Sequence, residues 1–348
     1  MSLRVRPFRF DTDRKDLEEL LQRNLPALRH SDRFEWLYKR NPDGPAWAWI
    51  IVDEAGQKVV GATALFPHSF WLGGKNTRCG QVGDFAIDLA YRSLGPALQL
   101  QRSTFEPVNK GELAFCYDCP PHDQGMSTFL RLGLSASASI YRHAKILKVD
   151  RLLENRMGRG IWTAAAAKVG NLGLQVLNIR SGAASGVEIS LLTGPFGDEF
   201  DSLDSAIVDD RSVRASRTAA HLNWRFRQDP LHAFQVLVAR RKGELLAYVV
   251  VALESASATV VDLFGKELAQ VGVVLLDAAR EICQNAGLQT MQAFVSESCG
   301  LQRLLKGAGF WKRELAARVV AYTLNHGWTR EFLSADPEWS FQELEVQT

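Results

Sequence analysis

The sequence predicts a mixed α/β fold written twice along one chain. The chain has 348 residues, 46% hydrophobic and 23% charged, enough apolar material for two cores. Helix-like and strand-like stretches alternate in both halves. A tryptophan segment also recurs about 188 residues apart: Phe34-Glu-Trp36-Leu-Tyr-Lys-Arg-Asn41-Pro42, then Leu222-Asn-Trp224-Arg-Phe-Arg-Gln-Asp229-Pro230.

In chain order, Val5–Phe10 reads as a strand and Asp13–Arg23 as a helix, opened by an Asp cap with acids in its first turn. Each tryptophan segment leads into an apolar run, a Gly turn and a second apolar run. These are Trp49–Val52, Gly56 and Val59–Leu65, and then Val236–Ala239, Gly243 and Leu245–Leu253, the pattern of a hairpin. Asp84–Leu89 follows as a strand and Pro96 to about Phe105 as a helix. Each half then closes alike. Strand Leu113–Cys116 precedes a helix ending Leu130-Arg-Leu-Gly133-Leu134, and Met291–Val295 precedes one ending Lys306-Gly-Ala-Gly309-Phe310. The glycines fit left-handed C-caps. The parallel order points to a duplication, with domains 1–148 and 188–348 joined by 149–187. The joining segment contains Trp162-Thr-Ala-Ala-Ala-Ala-Lys168 and has a helical composition. It reads as a brace between the halves, or as a basic face resting on an anionic membrane.

Composition excludes several classes. Net charge is +2, too balanced for a nucleic-acid surface. Residues 1–150 hold 20 basic and 17 acidic side chains, 151–188 hold 5 and 2, and 189–348 hold 16 and 20, so no part is a polybasic tail. Five cysteines, an odd and sparse set, read as reduced thiols. The N-terminus shows no secretory signal, and the most apolar stretch, Ile161–Leu177, is broken by Lys168 and glycines. A cytoplasmic protein with no transmembrane segment is expected.

The stretch Gly83-Asp-Phe-Ala-Ile-Asp-Leu-Ala-Tyr-Arg92-Ser-Leu-Gly95-Pro96-Ala97 carries the most chemistry. A strand enters a tight Gly-containing turn and then a helix, whose free N–H groups and positive dipole end suit a phosphate. Gly95 permits close backbone approach, Ala97 keeps the first turn small and Arg92 adds a cation. The same pattern also serves simple chain reversal.

Arg92-x-x-Gly95-x-Ala97 resembles the pyrophosphate-binding motif of the GNAT (Gcn5-related) acyltransferase superfamily, Gln/Arg-x-x-Gly-x-Gly/Ala. The Trp…Asn-Pro segments resemble those of tandem GNAT-like proteins linked to cell-surface polysaccharide loci. The resemblance implies two tandem GNAT-like domains and acetyl-CoA as co-substrate, bound through Ile87, Leu89, Arg92, Ser93, Leu94, Gly95 and Ala97. It also implies an N-acetyltransferase acting on a small-molecule primary amine, with an amino sugar as the favoured acceptor. A backbone N–H of the central strand would polarise the thioester carbonyl. A carboxylate or a water chain would take the amine's proton. Asp84 is the first candidate base and Asp118 the second, while Asp88 shares the strand face of Asp84.

Some positions depart from the pattern. Pro96 removes one donor, although Pro suits the first helical position. The second half has Gly265-Lys-Glu-Leu-Ala-Gln-Val-Gly272, which does not fit, so that copy reads as having lost cofactor binding. The family's Tyr acid is replaced by Leu130, and by Leu305 in the second half, which leaves the thiolate's proton source unassigned.

Cys116-x-x-Cys119 near His122 lacks a second pair and reads as core cysteines. The seven histidines show no metal or triad spacing, so no metal is expected. Trp36 and Trp224 read as core packing. Two other classes compete with the acyltransferase. A Fem-type aminoacyltransferase predicts a degenerate motif and a basic groove, and a non-catalytic GNAT-like binding protein fits the missing Tyr.

Overall fold

A computed structural model describes residues 3–26, 30–120, 123–148 and 186–342. The linker readings for 149–187 fall outside these residues except at 186 and 187, and so does His122.

The first half runs β1 (Leu3–Pro7), α1 (Arg14–Asn24), a π-helical turn (Glu35–Lys39), β2 (Trp47–Asp53), β3 (Lys58–Leu72) and β4 (Lys75–Ile87). It continues with α2 (Leu94–Ser103), the short α3 (Glu106–Asn109), β5 (Phe115–Asp118), α4 (Asp123–Arg131) and β6 (Ala136–Ile146). The second half runs β7 (Glu188–Leu191), α5 (Asp198–Ala206), β8 (Ser212–Ala215), α6 (Ala219–Arg227), β9 (Phe234–Arg241), β10 (Glu244–Leu253) and β11 (Ser257–Gly265). Then come α7 (Leu268–Asn285), β12 (Thr290–Ser296), α8 (Leu301–Gly307), β13 (Trp311–Thr323), α9 (Trp328–Ser334) and β14 (Glu338–Trp339). Both expected hairpins form, as β2–β3 and β9–β10. Gly133 and Gly309 take φ of +77° and +86°, the left-handed C-caps anticipated. Asp13 does sit before α1, but its side chain caps nothing. Its carboxylate instead takes both Arg6 nitrogens, at 2.6 and 2.8 Å.

The strands form one sheet, ordered β1-β2-β3-β4-β5-β13-β6-β12-β11-β10-β9-β7, with β8 and β14 added beyond the outer end of β3. Reading inward from either edge meets the same series of elements. In the middle, each half gives the strand after its closing helix to the other. β13 of the second half pairs antiparallel with β5, and β6 of the first pairs antiparallel with β12. The two exchanged strands pair with one another at the centre.

The tryptophan repeat lies on this pseudo-twofold axis. Trp36 Nε1 donates to the Trp224 carbonyl at 2.9 Å, and Trp224 Nε1 to the Trp36 carbonyl at 3.0 Å. Their rings stack at 5.1 Å. Such a reciprocal contact requires the same residue in both copies, so the repeated Trp does serve packing. In the first half the sheet is covered on one face by α1 and the π-helical turn, through Leu17, Leu20, Leu37 and Tyr38. The other face is covered by α2 and α3, through Leu100 and Val108.

Candidate active site

β4 and β5 run parallel only over Cys79–Phe115, Gly80–Cys116 and Gln81–Tyr117. Beyond these pairs β4 continues to Ile87 while β5 ends at Asp118. Residues 82–87 of β4 therefore have no partner on the β5 side, and a backbone edge opens into a cleft. β4 also carries a bulge here. Ala62 pairs Ala86 but Ala64 pairs Gly83, so one extra residue sits on β4, and Asp84 adopts φ +48°.

The turn after β4 leads to the start of α2. Ser93 is the N-cap in extended conformation, and its side chain makes no capping bond. α2 begins at Leu94, so Pro96 is its third residue rather than its first. The N–H groups of Leu94 and Gly95 precede the helical bonding pattern. A Cβ built on Gly95 meets nothing within 4 Å, so the glycine leaves open space. Arg92 does not point at the helix start. Its Nε donates to the Ile87 carbonyl at 2.8 Å and its Nη2 to Asn24 at 3.1 Å, tying the turn to β4 and α1. Ile87 is buried, while Leu89, Leu94 and Phe85 are exposed apolar side chains around the turn. Leu130, where the family's Tyr acid would stand, is also exposed and carries no acidic proton.

Asp84 lies under this cleft in a closed setting, its side chain 1% exposed. Arg33 donates to both oxygens at 2.6 and 2.8 Å, and Tyr38 Oη donates to Oδ2 at 2.7 Å. The second half repeats the device. Asp262, on β11, is fully buried and accepts from Arg217 and from Tyr248 Oη. A carboxylate held in this way in both copies is a brace for the bulged strand, closed to an incoming amine. Asp88 does share the face of Asp84, but that face is covered by α1, and Asp88 bonds Arg23 and Asn24 and pairs with Lys58.

Asp118 occupies the first position past the last β4–β5 pair. It is half-buried, its carboxyl accepts a bond from the Cys119 N–H, and it forms no ion pair among the described residues. Burial without a cation pushes its pKa up to about 7.

In the second half, the end of β11 lines a cavity of about 610 Å³. Leu263, Phe264, Leu268, Val273, Leu301 and Leu304 line it, with Arg217 and Gln342 in its wall. The glycines that break the motif here serve packing. A Cβ on Gly265 would lie 2.2 Å from that of Ala247, and one on Gly272 would lie 2.7 Å from Leu304. Cys116 and Cys119 are buried and not joined in a disulfide. The sequence reading missed one convergence: Asp43, His68 and His221 meet across the two halves. Spacing gives no sign of it, because residues 68 and 221 lie in different copies.

No family model matches the chain, and no curated protein does. Solved structures show its fold, which is shared with a GCN5-related N-acetyltransferase and with N-myristoyltransferases. A GCN5-related N-acetyltransferase from Anabaena variabilis is similar at 13% identity and TM-score 0.65, over 93% of this chain and 73% of that one. A protein from Enterococcus faecalis, described as a probable N-acyltransferase, is similar at 10% identity and TM-score 0.64, over 93% and 72%. An N-myristoyltransferase from Saccharomyces cerevisiae, solved with bound myristoyl-CoA, is similar at 12% identity and TM-score 0.61, over 100% and 85%.

Proposed function

We propose that the chain is an acyl-CoA-dependent N-acyltransferase, with the thioester held in the first half between the diverging ends of β4 and β5. The observation that carries this reading is Asp118, a carboxyl of raised pKa without a cation, placed where the strands part. The open edge of residues 82–87 offers backbone N–H groups to the thioester oxygen as it gains charge. The N–H groups of Leu94 and Gly95, with the Ser93 hydroxyl that makes no capping bond, take the pyrophosphate. Asp118 removes a proton from the acceptor amine as its nitrogen bonds the acyl carbon and the C–S bond breaks. With a pKa of about 7 the resulting acid is stronger than an ordinary thiol, so it can return that proton to the departing thiolate. One carboxyl thus does the work for which the sequence shows no Tyr. Asp84 is assigned to holding β4 in place.

The acceptor is a primary amine, and an amino sugar is the first to screen. Acetyl-CoA is the first donor. Longer acyl-CoAs belong in the same series, because Phe85, Leu89 and Leu94 offer apolar surface at the cleft mouth and one similar structure binds myristoyl-CoA.

The deciding test is calorimetric titration of CoA thioesters into the wild type and Gly95→Leu. The open space at Gly95 lets the fold accept leucine, whose side chain then fills the phosphate position. Saturable binding lost in the variant supports the first-half site. Binding kept in the variant moves the cofactor to the second-half cavity. No binding of any CoA ester to the wild type overturns the acyltransferase reading in favour of a Fem-type enzyme or a binding protein.

A further inference from the structure

We propose that Asp43, His68 and His221 bind one divalent transition-metal ion of the zinc class at the junction of the two halves. Asp43 comes from the loop after the π-helical turn, His68 from β3 and His221 from the first turn of α6. Each offers one ligand atom, and these atoms lie within 4.8 Å of one another. His221 Nδ1 stands 3.5 Å from Asp43 Oδ2. Two ligands bound tetrahedrally at 2.0–2.1 Å from zinc are about 3.3 Å apart, so the pair needs little adjustment. The two imidazole rings lie 5.3 Å apart, centroid to centroid.

A second observation points to a ligand there. His68 and His221 are 4% and 3% exposed, and Nε2 of each has no hydrogen-bond partner among the described residues. Buried imidazole nitrogens are ordinarily satisfied. The two rings lie side by side next to one carboxylate, and each keeps a buried nitrogen that the described groups leave unpartnered. Two imidazoles and a carboxylate make an N/O donor set suited to zinc, and too nitrogen-rich for calcium or magnesium. Three protein ligands leave a fourth position for water. The Asp43 side chain is 15% exposed, which places the way in on its side. The ion would join two residues of the first half to one of the second, so its consequence is to hold the halves together. Folding and metal affinity are then coupled.

The test uses the full chain purified without an affinity tag, its metal content measured, then stripped with a chelator and titrated with Co²⁺ and Zn²⁺. One equivalent of metal is expected, with the visible absorption of four-coordinate cobalt and a melting temperature that rises by several degrees when Zn²⁺ is restored. Asp43→Asn and His221→Gln should each abolish the cobalt absorption. Two results overturn the proposal. One is no absorption and no thermal shift in the wild type, which assigns the orphan nitrogens to a buried water. The other is stoichiometric binding retained in either variant. Should a variant fail to fold, the wild-type titration decides alone.

Discussion

Asp118 and Asp84 are carboxylates of the same half with opposite surroundings, Asp84 held by Arg33 and Tyr38 and Asp118 without a cation among the described residues. Asp118 titrates near 7, against about 3.9 for an unfolded aspartate. Between about pH 4 and 7 the folded protein therefore holds a proton that the unfolded chain has released. The stabilising contribution of Asp118 is greatest below pH 4, falls as pH rises to about 7 and is level above. Urea midpoints at pH 5 and pH 8 should show Asp118→Asn gaining on the wild type at the higher pH; an equal difference at both would refute the shift. In turnover, the same variant should lose roughly 10²–10⁴-fold, the usual worth of a general base. The wild-type kcat/KM should rise with pH to a plateau just above 7. Asp84→Asn should act through stability instead. It leaves the Arg33 guanidinium buried without its carboxylate, which costs about 3–5 kcal/mol, and a lower melting temperature is the readout. A large loss of kcat with melting unchanged would restore Asp84 as the base. Sequence reasoning names both residues and ranks Asp84 first; it has no sight of the bulge and the Arg33 contact that enclose Asp84, because they come from distant segments.

At the scale of elements, hairpins, caps and the strand–turn–helix unit were legible, since their signals are local: apolar runs around Gly56 and Gly243, and left-handed glycines at 133 and 309. The start of α2 lies two residues before the expected Pro96, at a boundary where local signals are weakest. The parting of β4 from β5 was not visible, because it depends on where pairing stops. Gly80 sits on the paired stretch, and a Cβ there would come within 2.6 Å of Leu65 and 3.0 Å of Leu113. Gly80→Ala should destabilise by about 1–3 kcal/mol through overpacking, measured as a shift in denaturation midpoint. The tryptophan pair offers a coupled prediction. Trp36→Phe and Trp224→Phe each remove an indole donor and leave a buried carbonyl unbonded, a loss of about 1–3 kcal/mol. The double variant should lose less than the two together, because the contact is shared. Strict additivity would refute the reciprocal pairing.

At the scale of the whole molecule, the exchanged strands make the halves interdependent. Residues 1–148 alone would leave β5 without β13 and β6 without β12, exposing sheet edges that invite aggregation. The intact chain should unfold in one cooperative step. Fragments 1–148 and 186–348 should each be insoluble when expressed alone and assemble when expressed together. A folded, monomeric fragment 1–148 would refute this. The similar order of elements in the two halves was readable, because the local signals recur along the chain. The exchange was not, since strands that pair within a half and strands that pair across the halves have the same pattern.

What the sequence by itself determined is therefore what local pattern sets: the mixed α/β class, the two hairpins, the glycine C-caps at 133 and 309, and the strand–turn–helix unit around Arg92–Ala97. The tertiary structure alone decided which strands exchange, which carboxylate is braced and which titrates near 7. It also brought two histidines and an aspartate from different halves together. These depend on contacts between residues far apart in the chain, on which burial, pairing and charge act together and which periodicity and spacing do not record.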